Sequence, residues 1–530
     1  MNKTRMRRSQ RWSLVAGICV LCVTVACAGP ASEQETDAVE RPPPAPTSLP
    51  PSPTPSVVIS PAYPGFYAGT PTPNPLPAST PNGEDVETYV VQPGETLSLI
   101  AAVFGCTVEE IAAASGLSDA NAISTGQVLY IPVVAAETGP YLKLLPDSEL
   151  VYGPAYIHFD LAGFVAGQGG YLAGYSEQVE GRALSGTEIV QLVSQRFSVG
   201  PRVLLALLEL RSGWVTQPQP AEETLIFPLG HVQSYHEGLF QQLSWAAVRL
   251  NEGYYGWKES DCTTARVRTM RVRTMRLANG MRASFAPGLN PGSAGVQNCL
   301  AELAPTRDEW LTLVGPAGFP ATYERLFGNP FAYTVEPLTP PDLVQPELRL
   351  PWEAGRTWYL TGGPHGGWGN GSGRAALDFV PGDKIPDCTL SQEWVAAAAP
   401  GLVLRSDHGE VLVDLDGDGF EQSGWVLLYM HVNAQDRVAA GTVVERGQRI
   451  GHPSCEGGYA DATHLHFARR YNGEWIPAGS GPTPMVLSGW TAHESVMPYD
   501  GSLVRGEETR TACECWDEEI NGLVSDNARP

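Results

Sequence analysis

The sequence predicts a chain of separate folded modules: a small α+β unit, an all-α middle, and an antiparallel β domain toward the C-terminal end. Three observations carry this. At 530 residues the chain is too long for one ordinary domain. The hydrophobic spacing changes along it. A short mixed pattern covers 88–132, a helical period runs over about 184–331, and short Val- and Leu-rich runs follow Pro351. Seven of the ten histidines lie between His365 and His493, which puts chemistry in the last third. The formal net charge of −23 disfavours nucleic acid and anionic membrane as partners.

Residues 1–27 read as an export signal. Lys3, Arg5, Arg7, Arg8 and Arg11 precede an apolar run, 14–26, too short to span a bilayer comfortably. The run ends in "VTVACAG", whose small residues before Cys27 resemble a bacterial lipoprotein signal. That resemblance implies lipidation of Cys27 and an extracytoplasmic protein touching the membrane through lipid alone. Plain secretion with cleavage near Ala28 is the alternative. Residues 28–86 hold sixteen prolines between Pro30 and Pro81, among Ser, Thr and Ala. Such a stretch buries no core and acts as an extended spacer, with a reach on the order of 150 Å.

The α+β unit spans 87–134. Tyr89 to Val91 reads as a strand, and Leu97, Ile100, Ala101 and Phe104 share a helical face. Thr107 and Glu110 form a capping box opening a second helix, and Gln127 to Ile131 reads as a closing strand. With "V-x-P-G-E-T-L" and "G-Q-x-L-x-I-P", this order resembles a LysM module. The resemblance implies binding of N-acetylglucosamine-containing glycan in a shallow groove lined by Gly94, Glu95, Thr96 and Leu97 and by the 118–123 loop.

The middle, 140–336, reads as helical. Ile189, Leu192, Val193 and Phe197 form one stripe, and Pro201 can open the next helix because its missing N–H costs nothing there. "PRVLLALLELRSGW" resembles a stretch of lysozyme-like lytic transglycosylases that carry a general-acid glutamate before Ser-Gly. "GLNPGSAGVQ" and "LFGNPF" also resemble parts of that fold. Here the acid position is Arg211, which cannot protonate a glycosidic oxygen. Glu209 lies two residues earlier, nearly on the opposite helix face. The resemblance therefore implies a lysozyme-like domain kept for shape or glycan binding. The duplicated "RVRTMRVRTMR" reads as a surface loop.

The cysteines fit an oxidising compartment. Cys106 reads as a buried thiol. Cys262–Cys299 and Cys388–Cys455 read as bridges. Cys513 and Cys515 stand too close together for an easy mutual disulfide.

The last domain, 345–500, reads as short strands divided by Gly and Asp turns, with 501–530 as a tail. The turn "DLDGDG", Asp414 to Gly419, has the spacing that opens a calcium loop. Trp425 at the twelfth position makes a hairpin turn the first reading and a Ca2+ site the second. His464 and His466 are i and i+2 of a strand and so share a face. Upstream, "GGPHGGWGNGSGRAALDF" sets His365 and Asp378 thirteen apart. Two imidazoles and a carboxylate can build a zinc site with one open position, able to polarise a water or a carbonyl. One histidine of the pair then serves the metal and the other a proton or an oxyanion.

From about 350 to 478 this constellation resembles the lysostaphin-type and β-lytic zinc endopeptidases, which cleave peptide cross-links of peptidoglycan. The resemblance implies an antiparallel β sandwich (a duplicated hybrid motif) and one Zn2+ per chain. It makes His365, Asp378 and His466 the metal ligands, and His464 and His431 the catalytic pair. His408, His452 and His493 read as structural, with His408 a weaker rival for the role of His431. Trp368 reads as a groove wall or a packing residue. The competing function is a non-catalytic peptidoglycan-binding protein that regulates other wall hydrolases.

Overall fold

A computed structural model describes residues 86–525 except 92–95, 105–106, 118, 133–136, 260–273, 287 and 496. The export signal with Cys27, the spacer, Cys106, Cys262 and most of the arginine repeat lie outside the described residues. No helix among the described residues is long and apolar enough to cross a membrane.

In the first unit, strands Val86–Val90 and Val128–Pro132 pair antiparallel around helices Leu97–Phe104 and Val108–Ala114. Thr107 and Glu110 make both bonds of the expected capping box, at 3.1 and 2.7 Å. Tyr89, Leu97, Ile100, Ile111, Leu129 and Ile131 form its core.

The middle is mainly helical but not all-α. Strands Ser176–Val179 and Arg182–Ser185 form a hairpin. A second small sheet joins Glu137–Thr138, Thr274–Arg276 and Arg282–Ser284. The hairpin turns on Glu180 and Gly181, both at positive φ (50° and 79°), the geometry of a tight two-residue turn. Helix Leu239–Glu259 crosses helix Pro291–Glu302 closely. A Cβ on Gly253 would sit 2.7 Å from the Ala294 carbonyl, and one on Gly295 2.7 Å from that of Leu250. "GLNPGSAGVQ" thus serves a helix crossing.

The last domain is built on a nine-stranded antiparallel sheet. Its order is Val443–Val444, Gly401–Asp407, Glu410–Asp414, Trp425–Met430, Leu465–Tyr471, Ala376–Val380, Thr357–His365 and Gly522–Val524, with Glu474–Trp475 paired beside Leu465–Tyr471. Both faces are covered. Ala376, Leu412, Val426, Leu428 and Ala468 join the core of the helical region. Their alternates Leu377, Val411, Val413, Leu427, Tyr429 and Phe467 join a second core with Trp352 and Trp358. That core also takes Leu487, Trp490, Ala492 and Leu503 from a four-stranded sheet, Val486–Leu487, Trp490–Glu494, Gly501–Arg505 and Glu508–Thr511. Burial on both faces explains why the central strands read as unbroken apolar runs.

Residues 501–525 are therefore not a tail. They add two strands to the small sheet and an edge strand to the large one. Asn521 donates through Nδ2 to the carbonyls of Leu360, at 3.0 Å, and Cys515, at 2.7 Å, which ties this segment to the strand that carries His365. The Cys388–Cys455 bridge is present. Cys513 and Cys515 are bridged to each other, against expectation, inside this ordered segment. Cys299 is a buried free thiol.

Candidate active site

The sheet register assembles the site. Asp378 on Ala376–Val380 lies opposite His466 on one side and Gly362 on the other, and His466 lies opposite Met430. Gly362 is needed there, because a Cβ would meet Asp378 Oδ2 at 2.6 Å. His365 ends its strand, and His431 follows Met430 at the end of another, turned by a positive φ of 65°.

Three atoms converge. His365 Nε2 lies 3.0 Å from His466 Nδ1 and 3.3 Å from Asp378 Oδ1, and His466 Nδ1 lies 3.1 Å from the same oxygen. The far nitrogens fix the tautomers. His365 Nδ1–H donates to the Gly363 carbonyl at 2.8 Å, and His466 Nε2–H donates to that of Gly367 at 3.0 Å. Both facing nitrogens are then lone pairs, aimed with a carboxylate oxygen into one space with no proton among them. Such a cluster needs a cation. Donors around a tetrahedral zinc at ~2.0–2.1 Å stand about 3.3 Å apart, so the three atoms fit that ion. Burial pushes the Asp378 carboxyl up, but His365, His464 and His466 more than reverse it and hold it well below the usual carboxylate range.

Two further imidazoles face the same place. His464 Nδ1–H donates to the Ala462 carbonyl at 2.8 Å, leaving Nε2 3.9 Å from Asp378 Oδ1. His431 Nδ1–H donates to the Glu456 carbonyl at 3.2 Å, and its ring centre lies 4.5 Å from that of His464. Burial first, then His464 and His466, pushes His431 down to about 3, so it is neutral near pH 7. Each of the four histidines thus spends one nitrogen on a backbone carbonyl and turns the other to the site.

The other candidates lie apart from this cluster. His408 occupies the turn between strands Gly401–Asp407 and Glu410–Asp414. His452 donates to the Glu393 carbonyl and packs on Trp394, and His493 is exposed on strand Trp490–Glu494. Trp368 packs against Phe197 and Arg196 of the helical region. Asp414, Asp416 and Asp418 cluster, but Asp414 already accepts the N–H groups of Asp416, Gly417 and Gly419, which completes the hairpin turn. Glu209 accepts from Val215 N, Thr216 N, Thr216 Oγ1 and Arg325, so it braces the helix end. Arg211 donates to the Leu229 carbonyl. In the first unit Gly94 and Glu95 lie outside the described residues, and Thr96 is exposed. Leu97 points into the core at 3% exposure, so its side chain cannot line a glycan groove.

Sequence reasoning missed Tyr499. Its ring stacks on His365 at 4.2 Å, and its backbone carbonyl accepts from Gly363 N at 2.6 Å. No spacing in the sequence marks it.

Three family models match the chain. The LysM domain matches residues 89–132, the LasA N-terminal domain 143–341, and peptidase family M23 388–477. The chain carries a family M23 peptidase domain. Protease LasA of Pseudomonas aeruginosa strain UCBPP-PA14 is 28% identical over 354 residues, which cover 63% of this chain and 74% of that protein. N-acetylmuramoyl-L-alanine amidase XlyA of Bacillus subtilis strain 168 is 42% identical over 65 residues, 12% of this chain and 22% of that protein. Among solved structures, the M23 metalloprotease pseudoalterin, from the deep sea, is 24% identical, with a TM-score of 0.27, and covers 34% of this chain and 99% of its own. The catalytic domain of lysostaphin from Staphylococcus simulans is 24% identical, with a TM-score of 0.18, and covers 23% and 88%. The M23 domain makes this chain a metallo-endopeptidase. Peptidases of family M23 are zinc-dependent, and the convergent His and Asp donors offer the place for the ion. The region expected to be lysozyme-like is the one that matches the LasA N-terminal domain.

Proposed function

We propose that this chain hydrolyses the peptide cross-links of peptidoglycan with one zinc held by His365, Asp378 and His466, and that the LysM domain holds it on glycan. The observation that carries the reading is the convergence of three lone pairs beside two further imidazoles, each with a nitrogen free to take a proton. Zinc, when bound, supplies a Lewis acid for the scissile carbonyl and the attacking water. His464 Nε2 takes the water proton and returns it to the leaving amine, so the same nitrogen works as acceptor and then as donor. His431, kept neutral by burial, offers Nε2 as a second acceptor 4.5 Å away, ring to ring. Tyr499 covers one face of His365 and limits its rotation. A lipid on Cys27, which follows the small residues of "VTVACAG", and the proline-rich spacer would hold the enzyme at the cell surface, outside the cytoplasm.

The test is to digest purified sacculi with the full chain and analyse the soluble products by mass spectrometry. The reading expects new amino and carboxyl ends within the cross-linking peptides. Products cut in the glycan strands, with every peptide bond intact, would refute it.

A further inference from the structure

Resting on the reading of His431 and His464 as the catalytic pair, we propose that the Cys388–Cys455 disulfide is a positioning element for both histidines, separate from the metal ligands. The carbonyls that fix their tautomers, Glu456 O for His431 and Ala462 O for His464, belong to one short loop, 455–462. Within 456–462 no residue makes a backbone–backbone hydrogen bond among the described residues. Gly457 and Gly458 both lie at positive φ, and Tyr459 is exposed. Glu456, next to Cys455, is also held through its carboxylate, which accepts from Gly409 N, Ala434 N and Arg437, so 457–462 takes its position from the two ends.

One end is Cys455. Its neighbour Ser454 donates from both N and Oγ to the His431 carbonyl, at 2.7 and 3.0 Å, and accepts from His464 N at 3.4 Å. Its other neighbour, Glu456, anchors the His431 ring. The far end is Thr463, whose N donates to the Asp387 carbonyl at 2.9 Å and whose Oγ1 donates to that of Thr389 at 2.6 Å. Asp387 and Thr389 flank Cys388. The bridge thus locks one end of the loop to the segment that receives the other, closing a ring around both anchoring carbonyls. His365, Asp378 and His466 take their places from the sheet and from Gly363 and Gly367, outside this ring.

The experiment compares the zinc-loaded full chain with a Cys388→Ser/Cys455→Ser double variant on solubilised peptidoglycan fragments, reading kcat, KM and bound zinc. A misplacement near 1 Å costs up to about a hundredfold, so kcat should fall roughly ten- to a hundredfold. KM and bound zinc should hold. A kcat within about twofold of wild type would overturn the inference, since correct placement would not need the bridge. So would zinc lost in step with activity, which would make the bridge a support of the whole site. Should the double variant not fold, Thr463→Val, which deletes only the 2.6 Å bond, should lower kcat roughly threefold with zinc retained; an unchanged kcat there also overturns the inference. His464→Ala in the same assay separates the two readings. A His464→Ala chain that still turns over defeats the catalytic reading. An inactive one beside a fully active cysteine variant defeats the disulfide inference alone.

Discussion

His365, Asp378 and His466 each place one donor atom in a triangle 3.0–3.3 Å on a side, and backbone carbonyls decide which nitrogen faces in. The charge of Asp378 is part of that fit. An Asp378→Asn side chain keeps the shape but carries no charge, and its amide N–H can point at two lone pairs. Outer partners of a metal ligand are worth about 10–100-fold in affinity, and a ligand itself at least as much. Dialysis against a chelator should therefore strip zinc from Asp378→Asn at a concentration at least about tenfold lower than from wild type. Equal retention would contradict the assignment. The candidate donors and their spacing were legible in "GGPHGGWGNGSGRAALDF" and "THLHF", because a strand period forces His464 and His466 to one face. The carbonyls of Gly363, Gly367, Glu456 and Ala462 and the ring of Tyr499 were not legible. Backbone groups leave no residue signature, and Tyr499 arrives from a turn far along the chain.

Strands were legible where Val and Leu cluster between Gly turns, from Gly401–Asp407 through Leu465–Tyr471. Their inward and outward faces were not, since both are covered. The hairpin Ser176–Val179 and Arg182–Ser185 lies just ahead of the helical period that begins near residue 184, and its four-residue strands are too short to stand out from it. The strands after residue 500 hid because Gly522–Val524 is three residues long and sits among acidic turns. These late strands carry weight. Leu503 and Leu523 are fully buried, and Asn521 binds the strand of His365. Losing two buried leucines costs about 2–5 kcal/mol each, a large share of a domain's total stability. A chain ending at residue 500 should therefore lose its cooperative thermal transition by near-UV circular dichroism. A melt within a few degrees of the full chain would show the segment to be dispensable.

Across the whole molecule, the helical region is one of the two layers that cover the peptidase sheet. Arg470 donates to the Gln195 carbonyl, Trp475 donates from Nε1 to that of Phe197, and Tyr254 donates to the buried Glu474. The glycine-rich loop after His365 rests on the same helices: a Cβ on Gly371 would meet the Val248 carbonyl at 2.4 Å. A fragment of residues 345–530 would expose Leu412, Val426, Leu428 and Trp475, each worth about 1.5–3 kcal/mol when buried. Such a fragment should aggregate or bind the dye ANS strongly, and a soluble monomer with no dye binding would contradict the layered account. The sequence placed a helical region here, though not its two small sheets. That this region covers the sheet was beyond reach, because helix stripes show that a face is buried and not what buries it.

The most direct measurement is bound zinc per chain, by metal analysis, in wild type, His466→Ala and His464→Ala. About one zinc is expected in wild type and in His464→Ala, with turnover gone in the latter, and none in His466→Ala. Zinc retained by His466→Ala, or lost from His464→Ala, would contradict the convergence of donors on which the function rests.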